Sequence, residues 1–397
     1  MRVRLRFALP LSLLAASGGV SCGGSSADGV TTLPDGVELR MTTTIPPATE
    51  VEQCQFFRLP EAINVNRDEV TFTSGSHHVL LYLTPYESIP QQNDAGEAVD
   101  TSKPFDCSAG VRSGWTVSNL IAGSQNATGE SIVSFPPDVG MKVPAGAVVM
   151  LNVHYINASA QPVNPEVKLT LHGIPDSALK HEGGLLFWYN PFIRIEPMAS
   201  GYAQMSCPIA ADITLGNAQS HMHARGVGYV AERVAADGAR EALYENTEWE
   251  GVTVKAWEGG QPIAGGSRID FRCEYQNATS STIWQGPRTT DEMCMFISSY
   301  WPAQPHVSLC SSDPAAPDDT QSMAGRWEGS GAATCSQTLD CVQALQGKGN
   351  FLEGLTECIY ASAPEASPYV SDGVTCLLTH DNPIADCGPE LEACLAH

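Results

Sequence analysis

The chain has 397 residues, enough to bury two sizeable cores with a small appendage. Hydrophobic residues make up 43% and charged residues 16%, a balance too apolar for general disorder. A formal charge of -23 with only 21 Lys and Arg argues against a nucleic-acid partner, because phosphate binding needs clustered cations.

From the N-terminus, Arg2, Arg4 and Arg6 precede an apolar run from Phe7 to Ala16, the layout of an export signal over residues 1–22. Gly19-Val20-Ser21-Cys22 resembles a bacterial lipobox, which makes Cys22 the candidate lipidation site and residues 23–38 a tether. No later segment has the roughly 20 apolar residues that cross a bilayer, so membrane contact is expected through the lipid anchor only. Of the 13 cysteines, those beyond Cys22 are even in number, which fits disulfides in an oxidising compartment. No C-x-x-C pair occurs. The expected location is the bacterial envelope, at the outer membrane or cell surface, or outside the cell.

Short apolar runs broken by Gly, Pro, Asn and Asp then recur, among them Val79-Leu80-Leu81-Tyr82-Leu83 and Val167-Lys168-Leu169-Thr170-Leu171. They have strand length and turn signals at short spacing. The expected architecture is mainly β: two tandem antiparallel β-sandwiches of jelly-roll type over residues 39–184 and 185–312, with the Gly183-Gly184 turn between them. A Pro-, Asp-, Ser- and Gly-rich stretch at 313–332 reads as a linker. Six cysteines within residues 333–397 read as a small disulfide-stapled helical module. Asn126, Asn157 and Asn277 match glycosylation sequons and read as turn residues.

The histidines cluster. In a strand, His221 and His223 of the H-x-H tract project to one side and can bind one ion together. Asn152 and His154 share one face of an apolar strand, where a histidine needs a hydrogen-bond partner or a metal. Adjacent His77 and His78 need a bulge to converge. Taken singly, His154 reads as a hydrogen-bonded core histidine, His77-His78 as an exposed strand end, and Met293 as core.

Read together and in order, four tracts change that: Ser76-His77-His78-Val79-Leu80-Leu81-Tyr82, Asn152-Val153-His154-Tyr155, Ser220-His221-Met222-His223 and Asp291-Glu292-Met293-Cys294. Over roughly residues 40 to 312 the chain resembles the copper type II, ascorbate-dependent monooxygenases, which include the peptidylglycine- and dopamine-hydroxylating enzymes. The resemblance implies two copper ions. His77, His78 and His154 would hold an electron-transfer copper in the first sandwich. His221, His223 and Met293 would hold the oxygen-activating, catalytic copper in the second. A thioether is soft and favours Cu(I), the state that meets dioxygen. The family's bridges imply Cys273–Cys294 and Cys207–Cys310, which leaves Cys54 and Cys107 to pair with each other. In the helical module, nested pairing would place Cys358–Cys376 innermost, one of 15 connectivities.

The departures from the family matter too. Gln219 stands where the peptide-processing enzymes carry an Arg for the substrate carboxylate, and Ile297 where they carry a Tyr. Gln219, Ile297 and Arg225 are candidate substrate contacts. The expectation is therefore an enzyme that hydroxylates a C–H bond of a small, non-carboxylate substrate with O2 and an external reductant such as ascorbate. The alternative is an exported copper-buffering lipoprotein without turnover.

Overall fold

The computed structural model describes residues 29–73, 75–126, 131–310, 327–345, 349–379 and 383–397. The export signal, Cys22 and most of the expected linker lie outside the described residues.

The chain is mainly β, in two sandwiches followed by short helices. In the first, a five-stranded sheet runs in the order Phe105–Asp106, Thr49–Arg58, Val148–Asn157, Ser76–Leu83, Leu120–Ser124. It faces a six-stranded sheet that includes Gly36–Thr42, Glu166–Ile174 and Ile63–Phe72. These pairings are antiparallel; His181–Glu182 joins the edge in parallel. The second sandwich stacks a sheet of Gly184–Tyr189, Met295–Trp301, Ile213–His221 and Lys255–Ile263 on one of Ala199–Ile209, Ser267–Asn277, Gly226–Val234 and Arg240–Asn246.

Alternation along the strands decides where the polar residues go. In Ser76–Leu83, Val79 and Leu81 enter the first core, while His78, Leu80 and Tyr82 take the opposite face. In Val148–Asn157, Leu151 and Val153 are core, and Asn152 and His154 share the face with Leu80 and Tyr82. Across the interface, Phe296 is buried in the second core, whereas Met295 and Ile297 pack with the first. Tyr82 meets Phe187 edge-on, with ring centroids 6.5 Å apart. The two sheets thus press their second faces together. Val148–Asn157 is therefore covered on both sides, which explains its nearly unbroken apolar run. Each large aliphatic side chain so buried contributes about 1.5–3 kcal/mol.

Both sandwiches use the same corner. Asn157 Nδ2 donates to the carbonyls of Ile45, Pro46 and Gln161, and Asn277 Nδ2 to those of Ile195, Glu196 and Ser281. Ala48 and Met198, each just before the facing strand, take positive φ of 49° and 54°. Asn157 and Asn277 are buried turn organisers with their amides fully engaged.

Three expectations need correction. Part of the expected 23–38 tether is strand: Val30–Leu33 pairs with Gly36–Thr42 in a hairpin turning at Pro34-Asp35. A Cβ at Gly36 would collide with the Leu171 carbonyl, so the turn ends on the one residue that fits. The expected 313–332 linker ends earlier, because Trp327 is buried and meets Phe192 edge-on at 4.3 Å. The helices Cys335–Gln343, Phe351–Tyr360 and Ser367–Thr379 share that core through Cys335, Leu355, Ile359 and Val370. Finally, Cys358 does not pair with Cys376. The helices Cys335–Gln343 and Phe351–Tyr360 pack together and join Cys341 to Cys358. Cys376 bonds Cys387 on the next short turn, and Cys335 closes the module with Cys394. The β domains hold Cys54–Cys107, Cys207–Cys310 and Cys273–Cys294.

Candidate metal centre

Five histidines meet where the two sandwiches touch. In the first, the register slips between Ser76, opposite Tyr155, and His78, opposite His154. The extra residue is a bulge that turns His77 toward its neighbour. The Nδ1 atoms of His77 and His78 lie 3.3 Å apart. One ring nitrogen from each of His77, His78 and His154 falls within 4.8 Å of the others.

In the second, His221 ends its strand, the side chain of Met222 enters the core, and His223 opens the turn that its carbonyl closes with the Gly226 N–H at 2.9 Å. The two rings lie 5.2 Å apart. The turn is braced by Glu292, a carboxylate with no solvent exposure, which accepts the backbone N–H of His223 at 3.0 Å and of Arg225 at 2.7 Å. Burial pushes its carboxyl up to about 7, while those N–H groups pull the other way. Met293 is the next residue; its carbonyl accepts the Tyr275 hydroxyl at 2.8 Å, and the Cys273–Cys294 bridge holds its other side.

Hydrogen-bond partners fix the tautomers. Glu50 is an acceptor, so the Nε2 of His154, 3.0 Å from it, carries the proton and Nδ1 presents a lone pair. His223 Nδ1 faces the Asp291 carbonyl at 3.3 Å, which leaves Nε2 free. His154 Nδ1 and His223 Nε2 are both buried without a hydrogen-bond partner. Burial, with repulsion among the rings, holds His77 at about 4 and His223 at about 3. His78 and His221 lie well below the usual value, and His154 is lowered too. Neutral rings with unclaimed buried lone pairs are the form that binds a metal ion. Neutral imidazoles suit copper, and a thioether joining them would suit it better than zinc.

The two sets are contiguous. The His78 and His221 rings are 5.6 Å apart, close to the 5.2 Å between His78 and His154. Trp249 of the second sandwich stacks on His77 at 5.5 Å. Glu50, besides His154, accepts the N–H and hydroxyl of Thr289 from the second sandwich, each at 2.7 Å.

A cavity of about 360 Å³ opens beside the cluster and takes His78, His221 and Met293 into its lining. Its walls are largely apolar, with Leu80, Tyr82, Phe187, Tyr189 and Ile297 among them. Glu52 lines it as well; its carboxylate accepts from Asn152 Nδ2 at 2.9 Å, and burial pushes it up to about 7. Of the candidate substrate contacts, Ile297 lies in the wall, but Gln219 and Arg225 are not among the described lining residues. Gln219 is buried, its Oε1 accepting from Gln125 at 2.9 Å, and the Arg225 guanidinium reaches the Thr289 carbonyl at 3.5 Å. Sequence reasoning missed Glu50, Glu52, Gln125, Trp249 and Glu292 as contributors. Only Glu292 left a signal, as the neighbour of Met293 in a quoted tract.

Comparison with known proteins bears on the second sandwich. Residues 185–322 match the model described as copper type II ascorbate-dependent monooxygenase, C-terminal domain. No curated protein matches the chain. Among solved structures, a peptide-N(4)-(N-acetyl-β-D-glucosaminyl) asparagine amidase is similar at 8% identity and TM-score 0.27, covering 66% of this chain and 94% of that one. The major capsid protein P2 of bacteriophage PM2 is similar at 10% identity and TM-score 0.24, covering 66% and 97%. At those TM-scores neither likeness carries an argument.

Proposed function

From a second sandwich that matches the C-terminal domain of copper type II ascorbate-dependent monooxygenases, we propose that this protein is a copper monooxygenase. It hydroxylates a C–H bond of a small, non-carboxylate substrate with O2 and an external reductant such as ascorbate. The observation that carries the reading is the convergence of neutral histidines, two with unclaimed buried ring nitrogens, beside an apolar cavity lined by Met293. His77, His78 and His154 would hold one copper, and His221, His223 and Met293 the other, catalytic one. Copper so bound supplies the one-electron chemistry and oxygen activation that hydroxylation needs.

The chain's own residues do the rest. Glu50 keeps the His154 proton on Nε2, and the Asp291 carbonyl keeps that of His223 on Nδ1. Glu292 fixes the turn that carries His223. Phe187, Tyr189 and Ile297 exclude water from the cavity and receive an apolar group. No buried cation lines the cavity to pair with a substrate carboxylate, since Arg112, the cation among its lining residues, is exposed; this favours neutral substrates. Six disulfides support export, and lipid attachment at Cys22 belongs to the same proposal. A purely copper-buffering lipoprotein has no use for the apolar cavity.

The test is reconstitution with copper, then oxygen uptake with ascorbate against neutral, cationic and carboxylate substrates. About two ions per chain and a hydroxylated product are expected. Two zinc ions in copper-matured protein, or copper without oxygen uptake across the panel, would overturn the reading.

A further inference from the structure

Gln125 sits just past the strand Leu120–Ser124, on the first sandwich, yet its side chain is spent on the second. Its Nε2 donates to the Gln219 side-chain oxygen and to the Ser220 backbone carbonyl, both at 2.9 Å. Its Oε1 lies 2.6 Å from His221 Nδ1. A backbone carbonyl only accepts, so the amide nitrogen must face Ser220 and the amide oxygen must face His221. That oxygen only accepts too, so His221 Nδ1 must carry the proton. The ring is left with its lone pair on Nε2. Three consecutive residues of one sandwich are thus read by a single amide of the other.

We propose that Gln125 is a cross-domain positioning residue: it fixes the tautomer and ring orientation of His221 and so makes the second ligand set ready only when the two sandwiches are docked. This rests on the reading of His221 as a copper ligand. Without Gln125, His221 loses the acceptor that holds its proton on Nδ1, and either tautomer becomes accessible. Its counterpart at His223 is a backbone carbonyl of the same sandwich, at the longer distance of 3.3 Å. Among the second set's histidines, His221 is therefore the one whose orientation depends on docking.

The experiment separates positioning from simple docking. Cu(I) affinity is measured by chelator competition for Gln125→Leu and Gln125→Glu. The His154→Ala background isolates the second set, and the His223→Ala background isolates the first. Leu removes acceptor and donors together. Glu keeps an acceptor for His221 Nδ1 but loses the amide donors to Gln219 and Ser220. Second-set affinity should fall about 10–100-fold in Gln125→Leu, the usual cost of losing a partner that orients a ligand, and return most of the way in Gln125→Glu. First-set affinity should stay within about twofold of the parent in both variants, a bound set by the locality of that effect. Equal losses in the two variants, or equal losses at the two sets, would reduce Gln125 to a docking contact and overturn the proposal. Undiminished affinity in Gln125→Leu would overturn it as well. Failure of the parent to bind copper at the second set is a different result, visible before any substitution at Gln125, and sinks the reading of the site itself.

Discussion

Replacing Glu292 by Gln changes one atom and asks whether a carboxylate braces the H-x-H turn. Each of its oxygens accepts a separate backbone N–H, from His223 at 3.0 Å and from Arg225 at 2.7 Å. A glutamine can turn its oxygen to only one of them. The other N–H then faces an NH2 group, leaving two donors in contact in a site without solvent exposure. One lost hydrogen bond with an unsatisfied buried donor costs about 1–3 kcal/mol, and the opposed amide adds to it, so about 2–4 kcal/mol is expected. Urea unfolding of the metal-free protein reads that loss directly. Because the brace carries His223, copper affinity at the second set should drop in the same variant while the first set holds. The reasoning fails if Glu292→Gln unfolds within about 0.5 kcal/mol of the parent, the ordinary range of a surface change. It also fails if the loss of stability leaves second-set affinity untouched.

His154→Ala should lower bound copper from about two ions to one, with the remaining ion retained by the second set; metal analysis after reconstitution checks it. Acidification should spare copper binding. An ordinary histidine loses roughly tenfold in affinity one pH unit below 6.5, but His77 at about 4 and His223 at about 3 stay neutral at pH 5.5, so affinity there should remain close to its pH 7 value. The same shifts act on folding. The unfolded chain takes up protons near pH 6.5 and the folded rings only near 4 and 3, so stability present above 6.5 is lost as the pH falls toward those values in a melt of metal-free protein. Trp327→Ala, which empties a buried position against Phe192, should cost about 3–5 kcal/mol and lower the melting temperature of the second sandwich together with the helices that share its core.

What the sequence made legible is what period and order encode. The alternation of Asn152 with His154 follows from strand geometry alone, and the need for a bulge at His77 follows from adjacency. His221 and His223 do come together, but His223 lies past the end of the strand, so strand alternation is not what pairs them. Val30–Leu33 was legible in principle, because Leu33-Pro34-Asp35-Gly36 is a turn signal between short strands. The glycine- and serine-rich start of the tether masked it. The pairing of Cys358 was not legible, since it depends on which helices pack, and six cysteines leave that open. Nor were Glu50, Gln125 and Trp249. Glu50 reaches Thr289 across 239 positions, and Gln125 reaches His221 across 96. No local pattern marks a residue whose partner is supplied by the docking of another domain. Gln219 misled for the same reason: its place two residues before His221 was right, but its amide oxygen is taken up by Gln125, and it is not among the residues that line the cavity.

The pattern of satisfied and unsatisfied nitrogens separates a ligand from an ordinary buried histidine. A core imidazole that serves only packing settles with both nitrogens bonded, since an unpaired buried polar atom costs about 1–3 kcal/mol. Here one nitrogen of each anchored ring is satisfied with care: His154 by Glu50, His223 by the Asp291 carbonyl, His221 by Gln125. The opposite nitrogens of His154 and His223 are left with nothing. His77 and His78 bring two like atoms to 3.3 Å, where at most one proton can lie between them. Buried polar atoms without a partner occur elsewhere too, His306 Nε2 and Tyr229 Oη among them, but the two ring nitrogens here belong to one histidine cluster at the junction of two sandwiches, beside an apolar cavity that Met293 also lines. A set of deficits that a single kind of guest removes together, at a place a small substrate can reach, is better explained by the guest than by the packing.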